Sequence, residues 1–377
     1  MPNGHERSSL PEMDVASRMG RLRARLAEAG CDALLVTKLV NVRYLTGFTG
    51  SAGMLLVRAG DAVLLTDGRY AEQSSAQLRA AGVECSLEIG RPAHQLEVLD
   101  TTLKGVARLG LEAEHIAWAE KRRLAGALGG AAGASTSLIA TRDVVEALRV
   151  VKDAGELARI ELAAQIADVA LAQVKERLRE AVTEQEFALE LDYEMRLRGA
   201  DDVSFETIVA SGPNAALPHA RPSERRIEEG ELVVVDFGAE IDGYRSDMTR
   251  TLCVGSPASS QMSDLVDAVL IAERAGVRAL RPGVSGDEVD RACREALSRA
   301  GCEELFVHGT GHGVGLEIHE SPALSRGSAD ILDEGAVVTV EPGVYVPGTG
   351  GVRIEDTLVV TANGARTLTK STKDTIL

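Results

Sequence analysis

Five side chains in the second half of the chain have the types and spacing to hold cations: Asp236 and Asp247, then His312, then Glu341 and Glu355. Four are carboxylates and one is an imidazole. An oxygen-rich set with one histidine suits hard or borderline divalent ions such as Mn²⁺, Co²⁺ or Zn²⁺, and does not suit a structural thiolate zinc. Four carboxylates exceed what one catalytic ion normally uses. Crowded together, they would raise one another's pKa unless cations neutralised them. Two ions sharing bridging carboxylates, clamping a water and a second oxygen between them, meet that need.

The surrounding residues place these groups on strands. Leu232-Val233-Val234-Val235-Asp236-Phe237 is a β-branched apolar run of the kind that forms a buried strand. A turn at Gly238–Gly243 leads to a second strand, Tyr244 to Leu252, which carries Asp247. A hairpin therefore brings Asp236 and Asp247 side by side. Ala336–Glu341 is predicted as another buried strand ending in a carboxylate, and Val352–Val360 as one more with Glu355 in its middle. A charge inside an otherwise apolar strand is costly unless paired or metal-bound. Any one of these acids alone would be read as solvated or salt-bridged; five ligand-type residues together point to a site.

All four histidines after position 150, namely His219, His308, His312 and His319, lie near this constellation. His308 and His312 are spaced i, i+4, but the alternating glycines of His308–Gly315 oppose a helix and predict a loop or irregular strand. Glycine there lets backbone approach a ligand closely. His319-Glu320 continues as Ser321-Pro322-Ala323, so the H-E-x-x-H zinc helix is absent. His219 sits in a proline-bounded loop. His5, His94 and His115 read as ordinary surface residues.

The chain of 377 residues suggests two domains, 1–145 and 146–377. The first alternates helix and strand. A helix from about Asp14 stops at Gly30; strands follow at Ala33–Thr37, Met54–Val57 and Val63–Thr66; Asp67–Tyr70 opens a helix to about Ala80; further strands lie near Val83–Ile89 and Leu109–Glu112. That pattern is an α/β layer. The Gly/Ala-rich Leu128–Ser135 stretch reads as a loop or helix end. In the second half a long helix runs from about Ala154 to Glu180. Thr183-Glu184-Gln185-Glu186 and Ser285-Gly286-Asp287-Glu288 are capping boxes, and helices near Ser259–Leu280 and Asp287–Ala300 lie between the ligand-bearing strands.

A net charge of −16 argues against nucleic acid and anionic membranes as partners. No apolar run approaches the roughly 20 residues of a membrane span. The opening Met1–Ser9 lacks the apolar core of a secretory signal, so a cytoplasmic location is expected. The five cysteines are scattered with no C-x-x-C spacing and read as small buried residues in a reducing compartment.

The order Asp, Asp, His, Glu, Glu, with Val234-Val235-Asp236-Phe237-Gly238 and Glu341-Pro342-Gly343-Val344-Tyr345, resembles the pita-bread metallopeptidases, a group that includes methionine aminopeptidase, aminopeptidase P and prolidase. Gly309–Glu320 and Asn41–Ser51 are most similar to the Xaa-Pro peptidases. The likeness covers nearly the whole chain after the first dozen residues, and all five ligand positions are filled, which sets the chain apart from creatinase-like relatives that lack metals. The resemblance implies an α+β protein: an N-terminal α/β creatinase-like domain and a C-terminal pseudo-symmetric pita-bread domain with helices outside a curved antiparallel sheet. It implies two divalent ions per subunit, Mn²⁺ first with Co²⁺ and Zn²⁺ as alternatives. Asp236 would bind one ion, Asp247 and Glu355 would bridge both, and His312 and Glu341 would complete the second.

Further roles follow from the same resemblance. Glu341 would also take a proton from the metal-bridging water that forms the attacking hydroxide. His219 and His308 would donate to substrate or intermediate oxygens. His319 would hold the proline-side carbonyl or pass a proton to the departing nitrogen. Arg353 would orient a bridging carboxylate or a substrate carboxylate, and Tyr345 would either support the site or pack the core. The implied activity is release of an N-terminal residue preceding proline, with a prolidase restricted to Xaa-Pro dipeptides and a non-catalytic peptide-binding module as alternatives. The implied partners are a proline-containing peptide and further copies of the chain, as a homodimer or homotetramer.

Overall fold

A computed structural model describes residues 9–128 and 136–377. His5 and residues 129–135 of the Gly/Ala-rich stretch lie outside the described residues. The chain divides into two compact units. One is Asp14–Arg149; the other is Val150–Leu377 together with the segment that ends at Met13.

The smaller unit is a six-stranded mixed sheet. Its strands are β1 (Ala33–Val36), β2 (Met54–Arg58), β3 (Ala62–Thr66), β4 (Ser86–Ile89), β5 (Arg108–Glu112) and β6 (Ser137–Thr141), in the order β4-β3-β2-β1-β5-β6. The β1–β2 and β2–β3 pairs are antiparallel; β1–β5, β3–β4 and β5–β6 are parallel. Two elements are not visible in the apolar pattern. Leu39–Thr46 is a helix closed by Gly47 at φ 73°, within the Asn41–Ser51 string, and β6 forms the sheet edge. The first helix is shorter than the sequence pattern suggests, ending at Arg25, with turns continuing to Gly30.

The larger unit contains β7 (Asp202–Val203), β8 (Ile208–Ser211), β9 (Leu232–Phe237), β10 (Ala239–Ile241), β11 (Tyr244–Arg245), β12 (Met248–Cys253), β13 (Gly311–Gly313), β14 (Glu320–Leu324), β15 (Val337–Val340), β16 (Gly343–Val346), β17 (Gly350–Arg353), β18 (Asp356–Thr361) and β19 (Gly364–Thr367). Every pairing among them is antiparallel. It is built as two similar halves. In the first, helices Ala154–Val174 and Glu184–Leu197 cover the β12-β9-β8 sheet. In the second, helices Ser260–Ala279 and Gly286–Arg299 cover the β14-β13-β15-β18-β19 sheet. Both capping boxes form as read, at Thr183/Glu186 and Ser285/Glu288. Among the described residues no helix is long and apolar enough to cross a membrane. All five cysteines are free; four are buried and Cys85 is half-buried.

Strand alternation explains why the acids share one surface. Val233, Val235 and Phe237 pack into the helix-side core of the first half, as do Met248 and Leu252. With a side-chain period of two, Asp236 on β9 and Asp247, Thr249 and Thr251 beside and along β12 must face the other way. In the second half Val338 and Val340, and Ile354 and Leu358, enter the helix-side core. Thr339, Glu341, Glu355 and Thr357 are turned to the opposite face by the same rule.

Two predicted strands are broken at the ligands. The strand expected from Tyr244 to Leu252 divides into β11 and β12, with Asp247 in the break, because β10 and β11 leave the β9–β12 ladder. Glu355 is not mid-strand either: it lies between β17 and β18, which belong to different sheets. Its backbone N–H crosses to Thr249 O at 3.1 Å. A carboxylate at a strand break gains freedom to turn towards the face opposite the core.

Gly238 marks the first break. A Cβ added there would lie 1.9 Å from the Ser246 carbonyl oxygen, next to Asp247. Gly238→Ala is therefore expected to cost about 1–3 kcal/mol or more, as other forced overpacking does. Gly68→Ala, where no atom lies within 4 Å of the new Cβ, should be near neutral. Urea denaturation of the two variants beside the parent checks this.

Candidate active site

The acid-bearing face forms the floor of a 570 Å³ cleft lined by Asp236, Asp247, His312, Glu341 and Glu355 together with His219, His308, His319 and Arg353. Every site residue proposed from the sequence is thus brought together. They are graded by depth: Asp247, Arg353 and Glu355 are buried, Asp236, His308, His312 and Glu341 half-buried, and His219 and His319 exposed at the rim.

Asp247, His312 and Glu355 each present a ligand atom within 4.8 Å of the other two. His312 Nδ1 donates to the Gly313 carbonyl at 3.0 Å, which leaves Nε2 without a proton in the neutral ring. That bare nitrogen stands 3.6 Å from Asp247 Oδ2 and 3.4 Å from Glu341 Oε1. Three lone-pair-bearing atoms facing one another repel unless a cation or a proton lies between them. Burial holds the imidazole pKa down at about 4, so a ring proton is disfavoured.

The carboxylates show the same frustration. Burial, then the charges of Glu355, Asp236 and Glu341, push Asp247 well above the usual range. Burial, then Glu341 and Asp236, do the same to Glu355. Glu341 is pushed up to about 8, mainly by burial, with Arg353 opposing. Asp236 Oδ1 is buried with no hydrogen-bond partner. An unpartnered carboxylate oxygen, a bare imidazole nitrogen and three acids raised by burial fit divalent cations: hard oxygen donors, one borderline nitrogen and a deficit of positive charge.

Among the described residues at the floor, Arg353 supplies the fixed positive charge. Its Nη2 donates to Asp236 Oδ2 at 2.7 Å, Nε to Thr249 Oγ1 at 3.1 Å, and Nη1 to Pro218 O at 3.0 Å and Tyr345 Oη at 2.9 Å. The acid this guanidinium holds is Asp236, not Asp247 or Glu355, the two expected to bridge. Thr249 Oγ1 in turn donates to Glu355 Oε2 at 2.8 Å, and Thr339 Oγ1 to Glu341 Oε1 at 3.3 Å. Sequence reasoning misses these threonines, because threonine in a β-branched strand carries no signal of its own.

Tyr345 resolves as a linking group. It accepts from Arg353 and donates to His308 Nε2 at 2.8 Å, while His308 Nδ1 donates to Gly309 O at 2.8 Å. Burial keeps His308 at a pKa of about 4. The neutral ring therefore has its single N–H on Nδ1, already engaged, and none directed into the cleft. His319 stacks edge-on against His312, with ring centroids 4.3 Å apart. His94 and His115 are surface residues of the smaller unit.

Comparison with known proteins identifies the family. Residues 158–362 match the model of metallopeptidase family M24, and residues 18–151 match the creatinase/prolidase N-terminal domain. The chain belongs to metallopeptidase family M24 and has the pita-bread fold of that family. It is 36% identical to an Xaa-Pro dipeptidase of Pyrococcus furiosus, over 96% of this chain and 99% of that one. Among solved structures it is similar to an Xaa-Pro dipeptidase of Bacillus anthracis, with a TM-score of 0.89 and 40% identity, covering 96% and 99% of the two chains. It is also similar to an X-Pro aminopeptidase of Thermotoga maritima, with a TM-score of 0.83 and 33% identity, covering 93% and 99%.

The raised carboxylates make stability depend on pH in a defined direction. Between the ordinary Glu pKa of 4.5 and about 8, folded Glu341 holds a proton that the unfolded chain has released. The folded state then binds more protons, so stability falls as pH rises through that window. Below about pH 6.5 the lowered His308 and His312 act in the opposite sense, so the slope is read above it: metal-free protein should lose about 1–2 kcal/mol between about pH 6.5 and 8. Saturating Mn²⁺ should flatten the slope. Denaturant midpoints measured against pH, with chelator and with Mn²⁺, give the comparison; a metal-free slope of zero or of opposite sign would remove Glu341 from the crowded, buried set.

Proposed function

We propose that this chain is a metal-dependent exopeptidase that hydrolyses the bond between an N-terminal residue and proline. The observation that carries the reading is the convergence of Asp236, Asp247, His312, Glu341 and Glu355 on one cleft floor, with His219 and His319 at its rim. The names of the relatives support proline as the second residue. In this reading Asp236, Asp247, His312, Glu341 and Glu355 would together hold two divalent ions. Bound divalent cations lower the pKa of a water towards neutrality and polarise the scissile carbonyl.

The chain's own residues supply the rest. Arg353 fixes Asp236, and Thr249 and Thr339 fix Glu355 and Glu341, so the acids are oriented before substrate arrives. Glu341, oriented by Thr339, would accept a proton from the attacking water. His219 and His319 present their rings at the exposed rim. They would donate to the carbonyl oxygen as it gains charge, or to the departing nitrogen. His308 acts through Tyr345 and Arg353, holding the arginine that holds Asp236.

Proline suits such a site. Its nitrogen carries no hydrogen, so a protease that relies on that N–H as a donor handles the bond poorly. An Xaa-Ala analogue brings a donor that costs about 1–3 kcal/mol if buried unpaired. Two length preferences remain in view. The dipeptidase reading is favoured by relatives at 36% and 40% identity, the aminopeptidase reading by the Thermotoga structure at 33%.

Xaa-Pro peptides should be cleaved at least about tenfold faster by kcat/KM than Xaa-Ala analogues, since about 1.4 kcal/mol corresponds to tenfold. N-acetylation should abolish turnover, because the acidic cleft suits a free ammonium. Rates for Xaa-Pro, Xaa-Pro-Yaa, Xaa-Ala and N-acetylated Xaa-Pro in one Mn²⁺ buffer check both points. Equal rates for proline and alanine would indicate a general aminopeptidase. His219→Ala and His319→Ala should each lower kcat by about 10²–10³ while metal content stays normal.

A further inference from the structure

His219 is carried by the chain between Ser211, where β8 ends, and Ser223, which lies against the start of the helix Glu184–Leu197. There Gln185 N donates to Ser223 O at 3.1 Å, and Glu184 N to Arg225 O at 3.0 Å. The middle of this loop is seated on the sheet: Ala215 and Ala220 pack with Ala210 of β8 and Val234 of β9. Both of its ends are held by one side chain. Glu184 Oε1 accepts from Ser211 N at 2.7 Å, Ser211 Oγ at 2.8 Å and Asn214 Nδ2 at 3.1 Å. Glu184 Oε2 accepts from Ser223 N at 3.0 Å, Ser223 Oγ at 2.6 Å and Asn214 Nδ2 at 3.1 Å.

Glu184 is fully buried, although its place in the first turn of a helix does not require that. The helix start is already capped by Thr183 and the exposed Glu186, which bond reciprocally. A buried carboxylate is costly, and this one is kept by donors that converge on it from Ser211, Asn214 and Ser223. Arg225 braces the same joint: its Nη1 donates to Ser211 Oγ at 2.8 Å and its backbone N–H to Ser223 Oγ at 3.1 Å. All of these bonds fix the backbone from which His219 projects, and none reaches Asp236, Asp247, Glu341 or Glu355. An exposed imidazole at the cleft rim is aimed by the backbone beneath it. Its precision therefore depends on how firmly its loop is pinned before substrate arrives.

We propose that Glu184 is a positioning residue for His219: by holding both ends of the loop on one rigid helix, it aims the imidazole at the oxygen or nitrogen of the reacting bond. The inference rests on the Xaa-Pro reading given above, in which His219 donates to the substrate. Glu184 itself touches neither substrate nor metal, and its effect on turnover passes through His219. The hold of Arg353 on Asp236 is separate, so the metal centre does not depend on it.

The experiment is a double-mutant cycle on Mn²⁺-loaded protein with an Xaa-Pro dipeptide: parent, Glu184→Gln, His219→Ala and the double variant, with ion content measured for each. Glu184→Gln should lower kcat by roughly ten- to hundredfold, the loss that about 1 Å of misplacement produces, with KM and ion content near those of the parent. The double variant should be no slower than His219→Ala alone. Ser223→Ala, which removes one donor and leaves the carboxylate in place, should lower kcat by roughly three- to tenfold, and this loss too should vanish in the His219→Ala background; this second cycle decides the matter where Glu184→Gln does not fold. Losses that multiply in the double variants overturn the proposal, because Glu184 then acts on something other than His219. So does a parental kcat in both Glu184→Gln and Ser223→Ala, or a loss of ions in Glu184→Gln. In each of these cases the Xaa-Pro reading stands. A parent that cleaves no Xaa-Pro peptide, or a His219→Ala protein with the parental kcat, overturns that reading of the site, and this inference with it.

Discussion

The larger unit is organised around a surplus of buried negative charge. Asp236, Asp247, Glu341 and Glu355 converge on one cleft floor, where the fixed cation facing them is Arg353. Burying an unpaired carboxylate costs several kcal/mol, and such a group escapes the cost by taking up a proton or a cation. The upward shifts of Asp247, Glu341 and Glu355 show the first escape. The bare Nε2 of His312 and the unpartnered Oδ1 of Asp236 show that the protein has not been built to use it. Protonated acids would satisfy those two atoms only by chance of rotamer; divalent cations would satisfy all of them.

The rest of the unit holds that unfavourable arrangement in place. Each half buries its helices against one sheet face, which turns the alternate residues to the other. Behind the floor, Arg250 donates to the carbonyl oxygens of Thr249 and Glu355 and to Asp356, and it also reaches the carbonyls of Ser371 and Thr372. Lys373 bridges Asp356 and the fully buried Glu273. The C-terminal segment is thereby tied to the backbone that carries Glu355. A charge network that is balanced lies directly behind one that is not, and the balanced network fixes the backbone at the break between β17 and β18.

Much of this is legible in the sequence, and for physical reasons. Apolar runs that lead into an acid conflict with strand burial unless something binds the charge. Asp236 after Val233–Val235 on β9 is one case, and Glu341 after Val337–Val340 on β15 is the other. Capping boxes are local, so Thr183/Glu186 and Ser285/Glu288 are readable at sight. The strand breaks at Asp247 and Glu355 are not, because a break depends on which sheet each side joins, and apolar spacing is the same on both sides. Thr249, Thr339 and Tyr345 are illegible or ambiguous for a related reason. Thr249 works on Glu355, 106 residues away, and Thr339 accepts from the His312 N–H, 27 residues away. Tyr345 reaches Arg353 across the β16–β17 hairpin. The engagement of both His308 nitrogens is of the same kind.

The claim on which everything else depends is that the four acids and His312 are arranged for two cations and are not merely a buried acidic cluster. Metal content at saturation tests it most directly. Protein stripped with chelator and equilibrated with excess Mn²⁺ should bind two ions per chain, and Asp247→Asn should lose one or both while remaining folded. A parent that saturates at one ion or fewer, or an Asp247→Asn protein with the parent's full content, would contradict it.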